Sequence, residues 1–152
     1  HHPQGPLRGD KYSLYEGGTR LPFIVWYPQI VKPGISDAIL SQIDLYASMA
    51  KLTKTKLIKE SAPDSKNALN VLLGKTKKSK HNEVIIQDNG GNIAIRAGKW
   101  KLIPAYSYWD INLPVDELYN LQTDISEKNN LADSFPKVVT KLRKRLNKIR
   151  NE

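Results

Sequence analysis

The chain has 152 residues, 39% hydrophobic and 26% charged, enough for one folded domain that buries about 70% of its unfolded surface. No apolar run approaches the roughly 20 residues that cross a bilayer, and the absence of cysteine excludes disulfides, thiolate zinc sites and a cysteine nucleophile within these residues. A net charge of +9 admits a partner rich in phosphate or sulfate.

Residues 1–20 carry Gly5-Pro6, Gly9-Asp10 and Gly17-Gly18, which mark tight turns or close backbone approaches, and are expected as loop. The apolar run at residues 21–27 lies between Pro22 near its start and Pro28 at its end and predicts a buried strand. After the Pro33-Gly34 turn, Ile39, Ile43, Tyr46, Ala47 and Ala50 recur at helical spacing. They predict an amphipathic helix over about residues 37–52, capped by Ser36 or Asp37. Residues 53–82 form a lysine-rich connector with a short helical stretch at 68–73 that ends on Gly74.

The period then changes from helical to alternating. Val84-Ile85-Ile86 and residues 93–96 predict a hairpin around the turn Asp88-Asn89-Gly90-Gly91-Asn92. Ala97-Gly98 turns into a strand at 99–103, and residues 117–121 supply a fourth extended piece. The last helix starts at Ser134 or Pro136 and sets Phe135, Val138, Leu142, Leu146 and Ile149 on one face. The chain therefore reads as α+β, an antiparallel sheet of about four strands packed on a C-terminal helix, with a boundary between residues 1–81 and 82–152 where the period changes.

The positive charge concentrates in Lys75, Lys77, Lys78 and Lys80 and along the last helix, from Lys137 to Arg150. Neither cluster interleaves aromatics as single-strand binders do, so both are expected as solvated surface, and nucleic acid is disfavoured as a partner. A basic polyanion-binding module and a purely structural domain stay open as alternatives.

Four strings, "GPLRGDKYSLYEGGTRLPFIVWYP", "SQIDLYASMAKL", "AIRAGKWKLI" and "ELYNLQTDISEKNNLAD", follow one another in the order and approximate spacing of the C-terminal part of type I sulfatases. Over nearly its whole length the chain resembles this arylsulfatase family, whose catalytic domain has an alkaline-phosphatase-like α/β fold. The resemblance implies that residues 1–81 close the catalytic domain and that 82–152 form a C-terminal subdomain. It also implies a parent enzyme that hydrolyses sulfate monoesters, on a small molecule or a sulfated glycan, and that is periplasmic or secreted.

In the family, the lysine of the pattern leucine-arginine-glycine-x-lysine, followed by glutamate-glycine-glycine, contacts the sulfate; it aligns with Lys11. An ammonium suits a tetrahedral oxyanion, being a compact charge with three donors. Glu16 and Arg20 flank the paired glycines as candidates for an ion pair that braces the loop. His2, with His1, falls where an imidazole could border the substrate pocket, a tag remnant or exposed loop being the other reading.

The family's nucleophile, a formylglycine, and its calcium-binding carboxylates are expected on polypeptide preceding this chain, the missing N-terminal part being its expected partner. No metal site and no cofactor are assigned to these residues, and the chain alone is expected to be inactive. Two partial matches are rejected. Asp88-Asn89 copies the calcium-binding pair but follows the lysine motif and sits in a hairpin turn. Ser61-Ala62-Pro63-Asp64-Ser65-Lys66 mimics the nucleophile signature but lacks its hydroxyl residue and its arginine. The adhesion-like Arg8-Gly9-Asp10 lies inside the stronger lysine motif and is discounted.

Overall fold

The computed structural model describes residues 3–58, 60–108 and 111–151. The chain forms two compact units, one joining His1–Pro22 with Glu83–Glu152 and the other comprising Phe23–Asn82.

The first unit is built on a four-stranded antiparallel sheet. Strands β1 (Glu83–Gln87), β2 (Ile93–Ala97), β3 (Trp100–Ile103) and β6 (Glu117–Asn120) lie side by side in that order. Ile85 faces Ile95, Ile95 faces Leu102, and Leu102 faces Leu118. The expected hairpin is organised by Asp88, whose Oδ1 accepts the N–H groups of Gly90 and Asn92 at 2.8 Å each. Between β3 and β6 the chain makes an excursion that alternation did not predict, the two-stranded ladder β4 (Tyr106–Tyr108) and β5 (Ile111–Leu113).

Successive strand residues face opposite sides of a sheet, and here both sides are covered. Ile95, Leu102 and Leu118 point to helix α4 (Pro136–Arg150), where they pack with Leu142 and Leu146, one helical turn apart. Each such leucine contributes roughly 1.5–3 kcal/mol by leaving water. Pro136 enters the first turn of α4, where its missing N–H costs nothing. Arg145 Nε donates to Glu83 at 2.7 Å and Arg143 pairs with Asp116, which ties the polar flank of the helix to the sheet.

The alternate set, Ala94, Ile103 and Tyr119, packs on the other side with Leu121 and with Leu14 from the first loop, which is fully buried. The division expected at residues 81 and 82 therefore does not describe the packing of the first loop, which is a third layer on the C-terminal sheet. That loop also contains one helical turn, α1 (Glu16–Thr19), where the sequence predicted none.

The second unit has a small apolar centre, Ala47, Ala50, Ala68, Val71 and Leu72, between helices α2 (Asp44–Leu52) and α3 (Leu69–Leu72). Much of its order comes from polar bonds to Asp44. The carboxylate accepts the N–H groups of Ser41 and Lys66 at 2.9 Å each and lies 2.6 Å from His81 Nε2. Ser48 Oγ donates to the Asp44 carbonyl at 2.6 Å and accepts the Ala68 N–H at 2.9 Å.

This arrangement corrects the predicted start of the helix. Asp44 reaches back to Ser41 and ends the turn there, so residues 37–43 stay outside, while Ser36 closes only a local turn with Ala38. The buried strand predicted at 21–27 is also corrected. These residues carry no strand, and Ile24 and Trp26 are 88% and 84% exposed. A strand needs a neighbour for its backbone donors and acceptors, and no described residue pairs with this segment.

Candidate active-site loop

Lys11 stands at the tip of a tight turn. Gly9 adopts φ 74°, open to glycine at little cost, and Tyr12 adopts φ 76°, which costs a side-chain-bearing residue on the order of 1–3 kcal/mol. The Asp10 carbonyl accepts both the Ser13 N–H at 3.1 Å and the Ser13 hydroxyl at 2.8 Å, closing the turn. Lys11 is exposed, and its Nζ lies 4.7 Å from the centre of the Tyr12 ring, a cation–π contact.

Behind the turn the packing is dense. A Cβ on Gly17 would stand 2.3 Å from the Gly9 carbonyl oxygen, and one on Gly18 would stand 2.4 Å from that of Asp10. Both glycines are thus required for α1 to lie directly against the Lys11 turn, and the Gly17 N–H donates to Arg8 O at 2.8 Å.

Glu16 carries this assembly into the sheet. Its Oε1 accepts a hydrogen bond from Lys101 Nζ at 3.0 Å, and Arg20 and Arg96 approach its Oε2 at 3.6 and 3.9 Å. Lys101, on β3, is completely buried and also lies 2.9 Å from Oε1 of the buried Glu127, as an ion pair without the alignment of a directed hydrogen bond. The other Glu127 oxygen accepts the Glu16 N–H at 2.6 Å. Burial pushes the Glu127 carboxyl above its ordinary range, against the opposing pull of the Lys101 ammonium and the Glu16 N–H.

Arg8 anchors the other flank. Its guanidinium stacks 4.0 Å from the centre of the Tyr15 ring and donates to Tyr119 Oη at 2.7 Å and to the Glu127 carbonyl at 3.1 Å. Tyr119 and Tyr15 in turn donate to the same Glu117 oxygen at 2.7 and 2.8 Å. Burial, and then these bonds to Glu117, raise both phenols far above their ordinary value, so they remain donors throughout the physiological range.

The structure thus brings Lys11, Glu16 and Arg20 into one loop, while His2 lies outside the described residues. Arg20 is a distant and half-exposed partner of Glu16; the close one is Lys101, which residue spacing did not single out. Arg8, Glu117, Tyr119 and Glu127 were missed in the same way. The available signal was the alternation of β3 and β6, which sets Lys101 and Glu117 on the face opposite α4.

A shallow depression of about 490 Å³ is lined by Pro6, Arg8, Ser126, Glu127 and Lys128 and does not reach Lys11. Among the described residues no group of three or more histidine, aspartate or glutamate side chains is placed to hold a metal ion. The rejected motifs have local bonding of their own. Asp88 organises its turn, Ser65 Oγ donates to Ile43 O at 2.6 Å, and the Lys66 N–H donates to Asp44.

Residues 8–152 match the family described as N-sulphoglucosamine sulphohydrolase, C-terminal, and the chain belongs to that family. It is 47% identical, over 99% of its length, to the N-acetylgalactosamine-6-O-sulfatase of Bacteroides thetaiotaomicron, of which it spans 31%. It is 29% identical over 93% of its length to arylsulfatase K of Gallus gallus, of which it spans 28%.

Among solved structures, one from work on glycosaminoglycan metabolism in Bacteroides thetaiotaomicron superposes with a TM-score of 0.86 at 43% identity. It covers 97% of this chain and 32% of that one. A Pseudoalteromonas sulfatase shares the fold with a TM-score of 0.75 at 20% identity, over 93% of this chain and 32% of its own. The relatives are sulfuric ester hydrolases, and the chain spans less than a third of the length of these two curated relatives.

Proposed function

We propose that the full-length protein hydrolyses sulfate monoesters on a sulfated glycan and that Lys11 binds the sulfate. The observation that carries this is the position of Lys11. An exposed ammonium tops a turn held by a buried Lys101–Glu16 ion pair on one flank and by the Arg8–Tyr119 hydrogen bond on the other, in a chain 47% identical to an enzyme named for removing a 6-O-sulfate from N-acetylgalactosamine. A preorganised ammonium stabilises charge developing on sulfuryl oxygens or on the leaving oxygen by a few kcal/mol, because it need not reorganise as the reaction proceeds.

The remaining chemistry is assigned to the polypeptide that the relatives carry beyond the third matched here. The calcium and the formylglycine nucleophile implied by the family resemblance are assigned to that polypeptide as well, and no step is routed through them here. The chain by itself is expected to hydrolyse nothing. A periplasmic or secreted enzyme is part of the same proposal; no helix among the described residues is long and apolar enough to cross a membrane.

The test is steady-state turnover of an aryl sulfate by the full-length protein with Lys11→Ala, alongside thermal melts. Turnover should fall roughly a hundredfold with little change in melting temperature, the scale of losing one preorganised donor. Lys11→Arg should restore little, since a planar fork does not replace a compact ammonium. Wild-type turnover in a folded Lys11→Ala protein would remove Lys11 from the site.

The exposed run Lys75, Lys77, Lys78 and Lys80 favours a second reading as a polyanion-binding surface. That reading requires heparin-like binding by this chain to weaken steeply with salt.

A further inference from the structure

We infer that Lys101 and Tyr119, both on the C-terminal sheet, are positioning residues for Lys11, holding the two flanks of its turn and thereby setting where the ammonium stands. The inference rests on the reading of Lys11 as the sulfate ligand.

Lys11 does not position itself. It is exposed, and its contact among the described residues is the ring of Tyr12, itself 58% exposed. Its placement must come from the backbone on either side.

On the C-terminal flank, Lys101 is 0% exposed between Glu16 at 3.0 Å and Glu127 at 2.9 Å. A buried ion cluster of this kind contributes little to stability, because desolvation offsets most of the attraction. What it does supply is a fixed location for Glu16. From Glu16 there is little slack toward Lys11, since the Gly17 N–H donates to Arg8 O at 2.8 Å and even a Cβ on Gly17 or Gly18 would stand within 2.6 Å of the carbonyl oxygens of Arg8, Gly9, Asp10 and Ser13. A shift of Glu16 must therefore shift residues 8–13.

On the N-terminal flank, the Arg8 guanidinium is held by Tyr119 Oη at 2.7 Å, and that hydroxyl is itself oriented by donation to Glu117 at 2.7 Å. The two anchors come from neighbouring strands, with Lys101 directly opposite Tyr119 in the β3–β6 ladder. One rigid pair of strands thus grips both ends of the turn.

The experiment is a double-mutant cycle in the full-length protein, with turnover of an aryl sulfate as the readout. It uses Lys101→Met and Tyr119→Phe, each alone and combined with Lys11→Ala, with thermal melts of every variant. Each single variant should lower turnover roughly tenfold to a hundredfold, the effect of misplacing a group by about 1 Å. Once Lys11 is already alanine, neither should lower it further. A general loss of folded enzyme would instead multiply with Lys11→Ala, because it scales all activity alike.

Multiplicative effects, or folded Lys101→Met and Tyr119→Phe variants with wild-type turnover while Lys11→Ala is impaired, overturn the positioning role alone. Wild-type turnover in Lys11→Ala overturns the sulfate reading and this inference with it. Should Lys101→Met fail to fold, the Tyr119→Phe cycle decides, since that variant keeps the ring in its place and removes only the hydroxyl.

Discussion

Gly17 and Gly18 are the residues through which the first loop becomes rigid, and each is required for the space it leaves rather than for an unusual φ. Replacing Gly17 by alanine puts a methyl 2.3 Å from the Gly9 carbonyl oxygen and 2.6 Å from that of Arg8, both backbone atoms with no rotamer to give way. Gly17→Ala in the full-length protein should therefore cost about 1–3 kcal/mol of stability, as overpacking does. It should also reduce turnover, because relief of the clash displaces the Lys11 turn. Thermal melts and an aryl sulfate assay check both effects, and an unchanged melting temperature would show that the loop is looser than its geometry indicates. Tyr12, in the left-handed region beside Lys11, is a second local cost, and it is sustained only because the turn is held from behind.

At the level of elements, the segment following α1 is apolar and largely uncovered. Leu21, Phe23, Ile24 and Trp26 are each more than half exposed, although the run has the composition of a buried strand. Such a segment gains a partner only if another strand supplies backbone groups along its length. Hydrogen exchange at residues 21–27 is accordingly expected to be fast in this chain alone and strongly slowed in the full-length protein. Equally fast exchange in both would mean that the segment stays outside any sheet. By contrast β2, β3 and β6 are covered on both faces, and their amides should be among the slowest in either form.

For the molecule as a whole, the centre of the first unit is partly ionic, and this sets how stability depends on pH. Glu127 is buried, and its carboxyl titrates above its ordinary value of 4.5. An acid whose pKa is raised by folding contributes stability that is fully present below the unfolded value and is lost as pH rises through the folded one. Glu127→Gln cannot titrate and so lacks this loss. The melting temperature of the variant relative to the wild type should therefore climb as pH rises from about 4 toward 7. If the wild type gains on the variant over that range, pairing with Lys101 outweighs burial and the direction assigned to Glu127 is wrong.

Local pattern was sufficient for much of the C-terminal half. The Asp88 turn, the strands on either side of it and the Leu142–Leu146 face of α4 depend on neighbours close in sequence or on a single periodicity, and they appear where alternation and helical spacing put them. The tight turn that carries Lys11 was also legible, because the glycines that mark it are close in sequence. Lys101, Glu117 and Glu127 were not. In a two-layer sheet the polar alternate residues of β3 and β6 would face water, and nothing within those strands shows that a loop about 90 residues upstream covers them. The strand expected at 21–27 failed for the converse reason, since its apolar pattern states a need for a partner without supplying one. What only tertiary structure decided is which surfaces meet, because burial is a property of pairs of segments and a sequence pattern records one segment at a time.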